Sequence, residues 1–153
     1  MNVLDMFSLK GKVALATGGA GLYGRQIVEA LAEAGAKTFT AARNRDALEK
    51  VAAAHREQGY DVTALQYDQG DEASILALRD QVLEQAGTID VLVNNSVARP
   101  MKNGYQSDAS TFAHSMAVNA TGLFVITRAF GDIMAEKGSG SIINVGSIQG
   151  LIA

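Results

Sequence analysis

The chain has no cysteine, so it can form no disulfide and offers no thiolate to a substrate or a metal. Histidine is nearly as scarce, and His55 and His114 alone are too few to build a metal cluster. No basic stretch stands out and the net charge is −3, which argues against a nucleic-acid surface. No apolar run reaches membrane-spanning length. The opening MNVLDMFSLKGK has no basic segment ahead of an apolar core, as a secretory leader would. A cytoplasmic location is therefore expected. Proline occurs once, at Pro100, and tryptophan not at all.

What is present is 153 residues, nearly half of them hydrophobic, enough to bury the core of one domain. Short apolar runs alternate with helical spacing. The runs 13–16, 38–41, 62–65, 91–93 and 142–145 read as buried parallel strands. Between them, Ile27, Val28 and Leu31 mark one helix, and Leu48 and Val51 a second. A third carries Ile75, Leu78, Val82 and Leu83. A long one over about 120–136 carries Leu123, Phe124, Thr127, Phe130 and Met134. Gly35, Gly59, Gly87 and Gly138 fall where these patterns stop, and Asp71 or Ser107 suits an N-cap. Alternating strand and helix predicts a doubly wound parallel α/β sheet of the Rossmann type, in one domain over 1–153. His55, beside Arg56 and Glu57, reads as part of a polar helix end.

TGGAGLYG, residues 17–24, lies between the first strand and the first helix. Gly18 suits a tight turn there, a middle glycine removes a Cβ that would block a pyrophosphate, and Gly24 suits close packing of the helix. The helix N-terminus adds free N–H groups and a positive dipole end. A glycine-rich turn without a ligand is the plainer reading. At the end of the second strand, where an acid would accept from the ribose 2′-hydroxyl of NAD, the sequence reads TAARNR. Arg43 there, helped by Asn44 or Arg45, suits a 2′-phosphate, so NADP(H) is favoured and NAD(H) stays open. The competing view makes Arg43 and Arg45 solvated loop charges.

These segments, with four more, resemble the short-chain dehydrogenase/reductase family over the whole chain. LVNNSVA looks like the family's Asn-Asn-Ala-Gly segment, VNATGLF holds Asn119 at the family's helix kink, INVGSIQG places Ser147 at its catalytic serine, and QYDQGDEAS places Asp68 at its adenine-side aspartate. The resemblance implies a nicotinamide dinucleotide lying against Thr17, Gly18, Gly19, Gly21, Leu22, Tyr23 and Gly24. Arg43 and Asn44 would meet its adenosine ribose, Asp68 and Gln69 its adenine, and Asn94, Asn95 and Ser96 its far end. It also implies hydride exchange with a carbonyl or secondary alcohol, Ser147 hydrogen-bonding the reacting oxygen and Asn119 holding a proton-relay water.

Two residues depart from the pattern. The classical branch has Gly or Ala at Leu22, and Gly21 in its place also fits the extended branch of nucleotide-sugar epimerases and dehydratases; Asn94, Asn119 and Ser147 favour the classical branch. Val97 stands where the family has glycine. The family's acid–base tyrosine, with a lysine four residues on, should follow Ser147, and none of Tyr23, Tyr60, Tyr67 or Tyr105 has such a lysine. The expectation is a chain cut before that pair and before the substrate lid, with a non-catalytic dinucleotide-binding module as the alternative. FSLKGKVALATGG is similar to the start of sugar-acid and polyol dehydrogenases of the gluconate 5-dehydrogenase type, which implies a small polar substrate. The long helix has apolar residues on more than one side, and with the family's habit this implies a homo-oligomer, a tetramer or dimer.

Overall fold

A computed structural model describes residues 2–148. Five parallel strands form one sheet: β1 (Val13–Thr17), β2 (Lys37–Ala42), β3 (Val62–Gln66), β4 (Val91–Asn94) and β5 (Ser141–Asn144), in the order β3-β2-β1-β4-β5. Helices α1 (Leu22–Glu33), α2 (Arg45–Glu57), α3 (Glu72–Ala86), α4 (Ala109–Met116) and α5 (Leu123–Lys137) connect them. The strands are apolar on both faces because both are covered. Val13, Leu15, Phe39 and Leu92 pack with Ile75, Leu78 and Val82 of α3 and with Ile126 and Phe130 of α5. Ala16, Val62, Ala64 and Val93 pack on the other face with Val28 of α1 and Leu48 of α2. All four residues of β5 are exposed, including Ile142 and Ile143.

The chain lays β1, β2 and β3 outward, then returns to place β4 on the other side of β1. Strand order reverses between β1 and β4, and a crevice opens beyond the carboxyl ends of that pair. The opposite ends of the two strands are pinned. Asp90 accepts the Val13 N–H at 2.8 Å and pairs with Lys137 Nζ at 2.8 Å, so β1, β4 and the end of α5 meet at one carboxylate. Burial opposes the charge on Asp90, but the Lys137 and Val13 hydrogen bonds outweigh it and hold its carboxyl below the usual range.

Helix ends follow the sequence closely. Gly35, Gly59, Gly87 and Gly138 all take positive φ where α1, α2, α3 and α5 stop. Asp71 caps α3 by accepting from Ala73 N. Ser107 does not cap α4. Asp108 does, accepting the Thr111 N–H at 2.7 Å, and that bond lowers the Asp108 pKa. The long helix also differs from expectation. A π-helical turn over Ala117–Gly122 joins α4 to α5, and the buried stripe of α5 is Val125, Ile126, Ala129, Phe130 and Met134. Leu123 and Thr127 are half-buried, and Phe124 faces solvent.

Candidate functional site

The glycine loop closes against the end of β2. Gly18 has φ +73°, and its N–H donates to the Ala41 carbonyl at 2.8 Å. Its carbonyl accepts from Gly21 N at 3.0 Å. Each glycine answers to a different neighbour. A Cβ at Gly19 would collide with the Thr40 hydroxyl, so this middle glycine faces the protein and not a ligand. A Cβ at Gly24 would collide with the Gly18 carbonyl, so that glycine lets α1 approach the loop backbone rather than the sheet. Gly21 is the outward one and is exposed.

Gly21 is also the N-cap of α1, and no side chain caps that end. Asn44, Asp71 and Asp108 cap α2, α3 and α4 with side-chain oxygens. The first-turn N–H groups of α1 therefore remain to receive an anion, with the positive end of the helix dipole behind them. Leu22 and Tyr23 flank this end with exposed side chains.

Thr17 fastens the loop from below. Its fully buried hydroxyl accepts the N–H groups of Asn95 and Ser96, both at 3.0 Å, and donates to the Val93 carbonyl at 3.4 Å. Asn95 Nδ2 donates back to the Thr17 carbonyl at 3.1 Å. The end of β1 and the segment after β4 are thus one hydrogen-bonded unit. With no exposed surface, Thr17 shapes the loop without touching a ligand through its side chain. Asn94 is also internal: its Nδ2 donates to Asn144 at 2.9 Å and to Thr127 at 3.2 Å, tying β4 to β5 and α5.

Tyr67, just past β3, was not singled out by the sequence pattern. Burial pushes its phenol up to about 12, and its hydroxyl bonds Gln69 Oε1 and Ser96 Oγ, each at 2.9 Å. Gln69 Nε2 in turn donates to the Val118 carbonyl inside the π-helical turn at 2.9 Å. The Gln69 side chain is therefore engaged within the fold. Asp68 is exposed, and its carboxylate accepts from Gly70 N at 2.8 Å.

Asn119, in the middle of the π turn, makes a two-way bond with the backbone after β4. Its Oδ1 accepts from Ala98 N at 2.9 Å and its Nδ2 donates to Ala98 O at 2.7 Å. Ser147 is exposed three residues beyond the end of β5, on the same carboxyl edge of the sheet. Gln149 and Gly150 of the INVGSIQG segment lie outside the described residues. Past β2, Arg43 is exposed, while Asn44 is committed to α2, its Oδ1 accepting from Ala47 N at 3.0 Å. Among the described residues no three His, Cys, Asp or Glu side chains group as metal ligands, and no helix is long and apolar enough to cross a membrane.

The family model for short chain dehydrogenases matches residues 12–153. The chain belongs to the short-chain dehydrogenase family. It is 37% identical over 146 residues to the NADP-dependent (R)-specific alcohol dehydrogenase of Lentilactobacillus kefiri, covering 94% of this chain and 57% of that one. It is 31% identical over 152 residues to the galactitol 2-dehydrogenase (L-tagatose-forming) of Cereibacter sphaeroides, covering 99% and 59%. The crystal structure of a short-chain type dehydrogenase/reductase from Mycobacterium marinum superposes with a TM-score of 0.93 at 33% identity, covering 99% of this chain and 62% of that one. This short-chain dehydrogenase chain thus spans little more than half the length of those relatives.

His55 is the other residue whose place differs from expectation. It is only 8% exposed, and its Nδ1 has no hydrogen-bond partner. Leu48, Ala52 and His55 form the buried stripe of α2. That stripe has helical spacing, and the two apolar members were the signal that could have placed the imidazole inside.

Proposed function

We propose that the chain is the dinucleotide-binding part of an NADP(H)-dependent oxidoreductase acting on a carbonyl or secondary alcohol of a small, polyol- or sugar-like substrate. The observation that carries this reading is the pairing of an uncapped α1 N-terminus with an exposed Arg43 at the end of β2. The two sit on the same edge, because Gly18 N is bonded to Ala41 O at 2.8 Å. The donors fit a pyrophosphate at α1 and a 2′-phosphate at Arg43. NADP dependence in the name of the Lentilactobacillus relative and polyol chemistry in that of the Cereibacter relative support the same reading.

When bound, the nicotinamide supplies or takes the hydride. The chain's residues do the holding. The α1 N–H groups and Arg43 bind phosphate, and Asp68 stands at the adenine side. Thr17, Asn94, Asn95, Ser96 and Gln69 shape the crevice between β1 and β4. Asn119 is a positioning residue that fixes the Ala98 backbone, and Ser147 donates a hydrogen bond to the reacting oxygen. None of the chain's tyrosines has a lysine four positions on, so the acid–base pair does not come from these residues. A cytoplasmic place of action accords with this reading.

The test is a fluorescence titration with NADPH and NADH. Arg43→Ala should weaken NADPH by about tenfold or more, the worth of a charge-assisted hydrogen bond, while NADH changes little. Equal weakening of both, or of neither, would remove Arg43 as the 2′-phosphate ligand. Tight NADPH binding without oxidation by any of a panel of ketones would instead favour the non-catalytic module.

A further inference from the structure

At the carboxyl edge of the sheet, three separate segments are bound into one closed circuit. They are the turn after β3, the segment after β4 and the π-helical turn over Ala117–Gly122. Tyr67 joins them. It is buried, and its hydroxyl lies 2.9 Å from both Gln69 Oε1 and Ser96 Oγ.

The chemistry of each group fixes which way its hydrogen bond runs. The Val118 carbonyl can only accept, so Gln69 gives it Nε2, at 2.9 Å, and turns Oε1 toward Tyr67. An amide oxygen donates nothing, so the single phenol proton goes to Gln69. The Ser96 hydroxyl must then donate to the phenol oxygen. Three bonds thus run head to tail, from Ser96 through Tyr67 and Gln69 to Val118, and each polarises the next. Burial holds the phenol pKa up at about 12, so the relay keeps its proton at neutral pH.

The circuit closes through the backbone. Val118 is followed by Asn119, whose side chain holds both the N–H and the C=O of Ala98. From Ala98 the chain runs back through Val97 to Ser96. The π turn is also seated directly on this circuit, since a Cβ at Gly122 would collide with the Gln69 carbonyl. Val97 is therefore held from both sides. Ser96 is fixed at its N–H by Thr17 and at its side chain by Tyr67, and Ala98 is fixed by Asn119. Among the described residues, the N–H and C=O of Val97 itself bond to nothing. A free peptide edge is thus held rigid beside β4, on the opposite side of β1 from β2 and Arg43.

We propose that Tyr67 is a positioning residue for the nicotinamide half of the dinucleotide, holding the backbone of residues 96–98 in its binding position before the ligand arrives. This rests on the dinucleotide reading above. The adenosine half does not depend on the relay. The α1 N-terminus and Arg43 lie outside the circuit. Asp68, although next to Tyr67 in sequence, is held by bonds of its own, its N–H to Ser74 Oγ at 2.9 Å and its carboxylate to Gly70 N at 2.8 Å.

Calorimetric titration of the intact chain with two ligands tests this. One is NADPH, and the other is 2′,5′-ADP, which carries the adenosine half and its 2′-phosphate without nicotinamide. Tyr67→Phe should weaken NADPH about tenfold, as the loss of a buried hydrogen bond does, and leave 2′,5′-ADP unchanged. The emission shift of the bound reduced nicotinamide should shrink even at saturation. Ser96 is only half-buried, so Ser96→Ala should fold even if Tyr67→Phe does not, and it should give the same split. The double variant should bind NADPH no more weakly than either single one, because both remove the same link. Equal weakening of the two ligands by Tyr67→Phe would mean a general loosening of the fold and would overturn the proposal. So would an unchanged NADPH affinity, losses that add in the double variant, or a native chain that holds NADPH no more tightly than 2′,5′-ADP. A native chain that binds neither ligand would instead sink the dinucleotide reading, and this proposal with it.

Discussion

At the scale of single residues, the site rests on two hydroxyls that touch no ligand. Thr17 satisfies the N–H groups of both Asn95 and Ser96. Thr17→Val keeps the shape and strands two donors in the interior, so a loss of about 2 kcal/mol or more is expected in urea unfolding, with Thr17→Ser losing less. Tyr67 gives a pH signature. Its pKa is raised from 10.0 to about 12 by burial. The unfolded chain therefore releases the phenol proton first as pH rises, and the folded state loses relative stability. The contribution is fully present below pH 10.0 and disappears as pH climbs to about 12. It amounts to roughly 3 kcal/mol. Urea midpoints across this range should fall for the native chain and stay flatter for Tyr67→Phe. Thr17 could be placed from sequence because it belongs to a motif. Tyr67 could not, because its partner Ser96 meets it only through tertiary packing, and no local spacing records that.

At the scale of elements, the helix starts and stops were legible, since glycines with positive φ and short polar caps act within a few residues. The cap of α4 was misplaced by one residue because Ser107 and Asp108 both suit the role, and Asp108 forms the bond. The phase of α5 was less legible. A π-helical turn carries an extra residue and rotates the helix beyond it, and nothing in the residue types of AVNATG announces the rotation. Gly24 tests close approach against helix propensity. On propensity alone, Gly→Ala inside a helix gains up to about 1 kcal/mol. Here the new methyl would meet the Gly18 carbonyl, so Gly24→Ala should lower the urea midpoint and weaken NADPH together. A stabilised variant with unaltered binding would show that the loop moves aside at no cost.

At the scale of the whole molecule, the sheet was readable in outline because each strand is a short run rich in aliphatic or β-branched residues between helical patterns. Strand order was not in the runs, and only the fold shows β4 lying beside β1. Assembly belongs to this scale as well. Phe112 and Met116 on α4 and Phe124 on α5 are all large, apolar and exposed. We propose that this face joins copies of the chain into a dimer or tetramer. Sedimentation at micromolar concentration should show an oligomer, and Phe124→Glu should shift it toward monomer; a native monomer would end the idea. The Thr17 clasp also bears on how the protein comes into being. Thr17 and Asn95 are 78 residues apart, and β4 enters the sheet beside a strand made long before it. During synthesis β1 begins as an open edge beside β2, and its glycine loop has no floor until Asn95 and Ser96 emerge. The order of translation thus ties the glycine loop to Ala41 of β2 first, and gives it its floor at Asn95 and Ser96 only when the central strand pair closes.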